Sequence, residues 1–269
     1  VAIGLADDAM KIGDTSLLTF TFSEEPTDFT VADIAAPNGA LSGFTVTGNP
    51  LVYEALFTPT AGVEEPVNVV TVGTAWSDDA GNPPVGSTDS ANYAIDTLAP
   101  SVILSSPTAN PTNGLIAVTA EFSETVTGFD DTDISIVNST VESFVAVDGN
   151  TYTFDVNPTD GASVAVTIDV PVTVAIDAAG NDSTASNQLA YTSDTVAPTL
   201  GIALGDSTLV ADQTTVMTFT FSEAVTGFDN TDITVIENGT LTPVSSLDGG
   251  ITWTGTFTPT ADIEDITNV

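Results

Sequence analysis

The chain has 269 residues, of which 37 are Asp or Glu, one is Lys and none is Arg, for a formal net charge of −36. Such a surface cannot neutralise phosphates, so nucleic acid and anionic membrane are excluded as direct partners, and divalent cations are the natural counterions. Without Cys or His the chain also lacks disulfides, thiol chemistry, Ser-His or Cys-His nucleophiles and the usual zinc and iron ligands.

In chain order, the first clear element is Leu18-Thr19-Phe20-Thr21-Phe22, whose apolar residues alternate with period two, as in a half-buried strand. It runs into the acidic stretch FSEEPTDFTVADI at residues 22–34. Tyr53, the run FTPTA at 57–61, DDAGN at 78–82 and DTLAP at 96–100 follow. Then the series starts again. Val118 to Phe122 leads into FSETVTGFDDTDI at 122–134, followed by Tyr152, Pro158, DAAGN at 177–181 and DTVAP at 194–198. A third pass gives Met217 to Phe221, FSEAVTGFDNTDI at 221–233, Trp253 and FTPTA at 257–261. Glu121 keeps the solvent phase of Thr21 and Thr220, so the alternation agrees in all three copies.

Phe22, Phe122 and Phe221 stand 100 and 99 residues apart. That period is too long for a solenoid unit and suits a small independent domain. The chain therefore reads as three tandem domains, 1–96, 97–194 and 195–269, joined by DTLAP and DTVAP. The third is incomplete at its C-terminal end. Its last residues, Thr267-Asn268-Val269, match Val67-Asn68-Val69, which suggests a window from a longer protein. Val, Thr and Ile abound, and Gly, Pro, Asn and Asp interrupt every 8–12 residues or so. About seven short strands per 100 residues predict an all-β fold of antiparallel sandwiches of immunoglobulin type. No stretch shows helical periodicity, no run is long enough to span a membrane, and no signal peptide is present.

The combination FSExVTGFDxTDI, FTPTA, DxAGN and DTxAP, repeated along the chain, resembles the immunoglobulin-like repeats of large bacterial surface adhesins and biofilm-associated proteins. The resemblance implies a secreted or cell-surface structural segment, a stalk, spacer or filament. Its partners would be neighbouring repeats of the same chain and other copies in a filament or matrix. The first copy departs from the pattern, with Glu25-Pro26-Thr27-Asp28 before its second Phe and Thr30 where the others carry Asp130 and Asp229.

The immunoglobulin topology places the acids. Glu124 follows the second strand of its domain and Asp177 lies between the last two, so both loops fall at the end where the chain enters. Asp96 arrives there on the linker. Asp96, Glu124 and Asp177 should converge at the first joint, with Asp130 nearby. The second joint would use Asp194, Glu223 and Asp229, while Glu24 and Asp78 of the first copy would face a preceding linker. Oxygen-only ligands on loops suit Ca2+, which takes about 6–8 oxygens in irregular geometry, and the resemblance implies it as well. Simpler readings stand beside this one. The Asp of DxAGN can close a turn, the Glu of FSE can end a strand in solvent, and Asp133 and Asp232 can cap turns. The linker prolines stiffen, and Asn138, Asn181 and Asn238 sit in glycosylation triplets that read more simply as turns. A glycan- or protein-binding module is the alternative function. An enzyme is not expected, because the acids recur in every repeat.

Overall fold

A computed structural model describes residues 1–210 and 212–263, so the match of Thr267-Asn268-Val269 to the first copy lies outside the described residues. The chain forms two compact units, Val1–Thr195 and Val196–Val269. Repeats 1 and 2 share the first.

Repeat 2 has seven strands in two sheets. The four-stranded sheet runs Val102–Ser105, Ile116–Phe122, Thr151–Pro158, Ser139–Ala146, and the three-stranded sheet runs Ser135–Val137, Val164–Asp169, Leu189–Ser193. In sequence numbering these are strands 1-2-5-4 and 3-6-7, the constant-type immunoglobulin arrangement. The alternation in Ile116–Phe122 sends Ile116, Val118, Ala120 and Phe122 inward and leaves Glu121 in solvent. Those side chains meet Val166 and Ile168 of the opposite sheet in one core.

The repeated acidic stretch closes one end of that core. Phe122, Val126, Phe129 and Ile134 are all buried, and Phe129 packs edge-on against Phe122 and Tyr152 at 5.2 and 5.0 Å. Repeat 1 builds the same plug from Phe22, Phe29 and Tyr53, with Trp76 set edge-on against Phe22 at 4.9 Å and donating from its indole N–H to the Gly73 carbonyl. Unit 2 repeats it with Phe221, Phe228 and Trp253. Tyr53, Tyr152 and Trp253 are thus packing residues. Registers coincide: Phe20 pairs with Tyr53, Ala120 with Tyr152 and Phe219 with Trp253.

Repeat 1 differs on its other face, where Ala9–Met10, Tyr93–Asp96 and Glu64–Asn68 form one sheet and Ile34–Ala35, Thr71–Val72 and Thr88–Asp89 another. Among its described residues unit 2 has a single sheet, built around Thr215–Phe221 and Thr252–Pro259. Leu200 and Ile202 are 45% and 61% exposed there, whereas Val102 and Leu104 at the same register in repeat 2 are 3% and 2% exposed under the second sheet. Among the described residues no helix is long and apolar enough to cross a membrane. Asn38, Asn138 and Asn238 all hold positive φ at turns, which agrees with the turn reading of Asn138 and Asn238.

One packing difference among the repeats has a simple steric cause. Gly39 and Gly239 lie against the rings of Phe57 and Phe257, and a Cβ at either glycine would overlap the ring. Repeat 2 places Ser139 there and Val156 in place of the Phe, so a smaller core residue leaves room for a side chain. We expect Gly39→Ala to lower stability by about 1–3 kcal/mol, as overpacking does. Combining it with Phe57→Val should cost less than the sum of the two single changes. Denaturant unfolding of the four proteins measures that coupling.

Candidate metal centre

The loop of residues 177–181 has a locally determined shape. The Asp177 carboxylate accepts the Asn181 backbone N–H and side-chain amide, each at 2.8 Å. The Asp177 N–H returns a bond to the Asn181 carbonyl, and Gly180 supplies φ +87° at the turn. Asp78, Gly81 and Asn82 repeat the arrangement in repeat 1, with both bonds to the Asp78 carboxylate at 2.8 and 2.9 Å and Gly81 at φ +80°. These bonds hold the Asp78 carboxyl below its ordinary pKa. The turn reading of this motif is therefore correct in both copies.

The two loops differ in burial. Asn82 is exposed and Asp78 half-buried, while Asp177 and Asn181 are 4% and 2% exposed. The end of repeat 1 covers the second loop. The Asn181 amide donates to the Asp96 carbonyl at 2.9 Å, its Oδ1 accepts the Ile12 N–H at 2.8 Å, and the Lys11 ammonium donates to the Gly180 carbonyl at 2.9 Å.

Asp96, Glu124 and Asp177 meet at this joint. One carboxylate oxygen from each lies within 4.8 Å of the other two. Each is positioned from a different direction. Asp96 ends the strand Tyr93–Asp96 and is followed by Thr97, whose hydroxyl donates to the Thr60 carbonyl at 2.7 Å. Glu124 follows the buried Phe122, and Ser123 exchanges bonds with Ser101 just past the linker. Asp177 is fixed by Asn181. Glu64 sits directly opposite Asp96 in the antiparallel pair, which puts a fourth carboxylate on the same patch.

The electrostatics register the crowding. Glu124 is pushed above the usual glutamate range, first by burial and then by the charges of Asp177, Asp96 and Glu64. Two oxygens bound to one Ca2+ at about 2.3–2.6 Å stand no more than about 5 Å apart, so the spacing and the oxygen-only chemistry fit that ion. Asp96, Glu124 and Asp177 would hold it.

The other candidates have different surroundings. Asp130 caps the short helix Asp131–Asp133, accepting the Thr132 N–H at 2.8 Å while the Asp133 carboxylate accepts the Asp130 N–H at 2.8 Å. Asp229 and Asp232 form the same reciprocal box around Asn230–Asp232. Hydrogen bonds from Thr132 and Thr231 hold the Asp130 and Asp229 carboxyls below the ordinary range. Both, expected as ligands, are helix caps, and Asp130 stands outside the convergent group. In repeat 1 Thr30 keeps the box through Asp33. Glu24 and Asp78 line one depression of about 560 Å³ with Trp76 and Asn82. Asp194 belongs to the first unit, where its N–H donates to the Thr112 carbonyl at 2.9 Å, and Glu223 is half-buried in the second. Sequence reasoning missed Lys11, Ile12, Asn181 and Glu64. The single basic residue of the chain and the Asn shared by both DxAGN copies were the available signals.

The pattern of the family described as bacterial Ig-like domain matches residues 1–95, 96–193 and 194–269. No curated protein matches the chain. Similar solved structures include invasin, described as a bacterial integrin-binding protein, at 11% identity and a TM-score of 0.38. That alignment covers 97% of this chain and 54% of that one, so the chain spans about half the length of the invasin structure. A marsupial T cell receptor aligns at 10% identity and a TM-score of 0.34, over 97% of this chain and 93% of the receptor. The Bacteroides ovatus glucan-utilization protein SGBP-B, solved with a mixed-linkage heptasaccharide, aligns at 14% identity and a TM-score of 0.21, over 74% and 45%.

In chelator, the raised Glu124 makes a signed contribution to stability. Folding favours its protonated form, so that contribution is complete below the ordinary glutamate value and is lost as pH rises through the raised folded value. Thermal melting in chelator across that window should therefore fall with pH, and Glu124→Gln should flatten the fall. An equal slope in the variant would assign the pH dependence to other groups.

Proposed function

Because this chain belongs to the bacterial Ig-like domain family along its whole length, we propose that it is a non-enzymatic repeat segment of an adhesin-type protein at the bacterial cell surface. It acts as a spacer or stalk, and calcium stiffens its joints. The observation that carries this reading is the convergence of Asp96 from the end of repeat 1 with Glu124 and Asp177 of repeat 2. Carboxylates drawn from both sides of a joint repel when bare and attract when they share a cation. Ion binding then favours the docked arrangement over any in which the repeats separate. Extracellular calcium modules bind at about 10⁻⁴–10⁻³ M, which suits an ion abundant outside cells. The partners on this reading are the adjoining repeats, with other copies of the chain beside them in a filament or matrix. The net charge of −36 argues against nucleic acid and anionic lipid.

Melting of the three-repeat chain in millimolar calcium and in chelator tests the reading. Calcium at about 100 times its dissociation constant adds about 2.7 kcal/mol per site and raises the transition that contains repeats 1 and 2. Glu124→Gln or Asp177→Asn should remove most of that gain, whereas Asp130→Asn, which alters a cap, should leave it. Superimposable transitions with and without calcium would sink the proposal.

A further inference from the structure

The joint between repeats 1 and 2 has a second fastening that involves no ion. Turn 11–14 is preformed within repeat 1. The Lys11 N–H donates to the Asp14 carboxylate at 3.1 Å, the Asp14 N–H donates to the Lys11 carbonyl at 3.1 Å, and Gly13 supplies φ +88°. Ile12 at its tip is 49% exposed, yet its N–H is taken by Asn181 Oδ1 at 2.8 Å. Beside it the Lys11 ammonium reaches the Gly180 carbonyl at 2.9 Å. The Asn181 amide nitrogen meanwhile donates to the Asp96 carbonyl and to Asp177 Oδ2. One buried side chain thus joins the turn of repeat 1, the linker and the metal-site loop of repeat 2.

We infer that this Lys11-Ile12-Asn181 clamp keeps repeats 1 and 2 docked in the absence of calcium. Asn181 is then a positioning residue, holding Asp177 and Asp96 at the spacing an ion requires. Calcium tightens a joint already formed. The clamp uses a residue that repeat 2 does not share. Met10 pairs with Ile95 in repeat 1 and Thr112 bridges Ser193 in repeat 2, so the residue that follows is Lys11 in one and Asn113 in the other. Repeat 2 therefore presents no ammonium at the matching place. The inference deepens the reading of the chain as a stiffened spacer, but the clamp itself stands whether or not calcium binds.

Hydrogen exchange at the Ile12 amide, in the whole chain and in chelator, tests this. An exposed residue whose amide is protected reports the cross-joint bond directly. The wild-type amide should exchange slowly. Asn181→Ala should speed it about fivefold or more, the loss of one net hydrogen bond, and Lys11→Met should speed it by a similar factor while keeping the aliphatic stem. Asn82→Ala, in the corresponding loop of repeat 1, should leave it unchanged. If Asn181→Ala unfolds repeat 2, the Lys11→Met result still decides, because that side chain lies outside both cores. A wild-type Ile12 amide exchanging at the open-chain rate in chelator, or one indifferent to Lys11→Met, would overturn the clamp. Slow exchange together with calcium-insensitive melting would remove the calcium reading and leave the clamp in place.

Discussion

The joint depends on the pair of bonds by which Asn181 satisfies the Asp177 carboxylate. A carboxylate 4% exposed is costly unless both oxygens have partners, and the Asn181 backbone and side-chain N–H groups supply one each. The same bonds form between Asp78 and Asn82 where solvent reaches the loop. The loop shape is therefore local chemistry, set by a short polar side chain bonding its own backbone around a glycine at positive φ. Docking does not create it. Docking buries a finished structure whose spare polar atoms, Asn181 Oδ1 and the second amide hydrogen, already point to where repeat 1 arrives.

The opposing term is like-charge crowding. Asp96 and Glu64 come from paired strands of repeat 1, and Glu124 and Asp177 from two loops of repeat 2. None can swing far. The start of the linker is held to the preceding repeat, because Thr97 is buried and bonds Thr60 and Val63. Asp96 therefore moves with repeat 1 and Glu124 with repeat 2. Their approach brings like charges together, and the Glu124 carboxyl is pushed above the usual glutamate range first by burial and then by the charges of Asp177, Asp96 and Glu64. Hydrogen bonds through Asn181 and Lys11 act against that repulsion, and a cation would act in the same direction.

The sandwich was legible in the sequence because its signals are local and recur. Alternation in Ile116–Phe122 and the hundred-residue spacing of the Phe stretches suffice for strands and repeats. The meeting of Asp96, Glu124 and Asp177 was also legible, since immunoglobulin topology brings those two loops to the linker end. The capping role of Asp130 and Asp229 went unread because a ligand Asp and a capping Asp look alike. The spacing that distinguishes them was present: an acid three residues on, at Asp133 and Asp232, marks a reciprocal capping box. Glu64 was invisible without strand register. The bonds of Lys11 and Ile12 join residues 169 apart in sequence, and no periodicity encodes them.

Comparing the repeats separates two kinds of constraint. The positions filled alike in each copy, such as Phe22, Phe122 and Phe221 with Phe29, Phe129 and Phe228, close the core of a single domain. Every copy needs them whatever its neighbours. The positions used once lie at the joint. Glu64 has Ser163 at the matching register of repeat 2, and Lys11 has Asn113. A core must satisfy only its own domain, so repetition preserves it. A joint must match two surfaces at once, and a change on either side alters its strength without disturbing a fold. Tandem domains that share a core pattern can therefore be joined differently, through a few polar side chains at the domain ends.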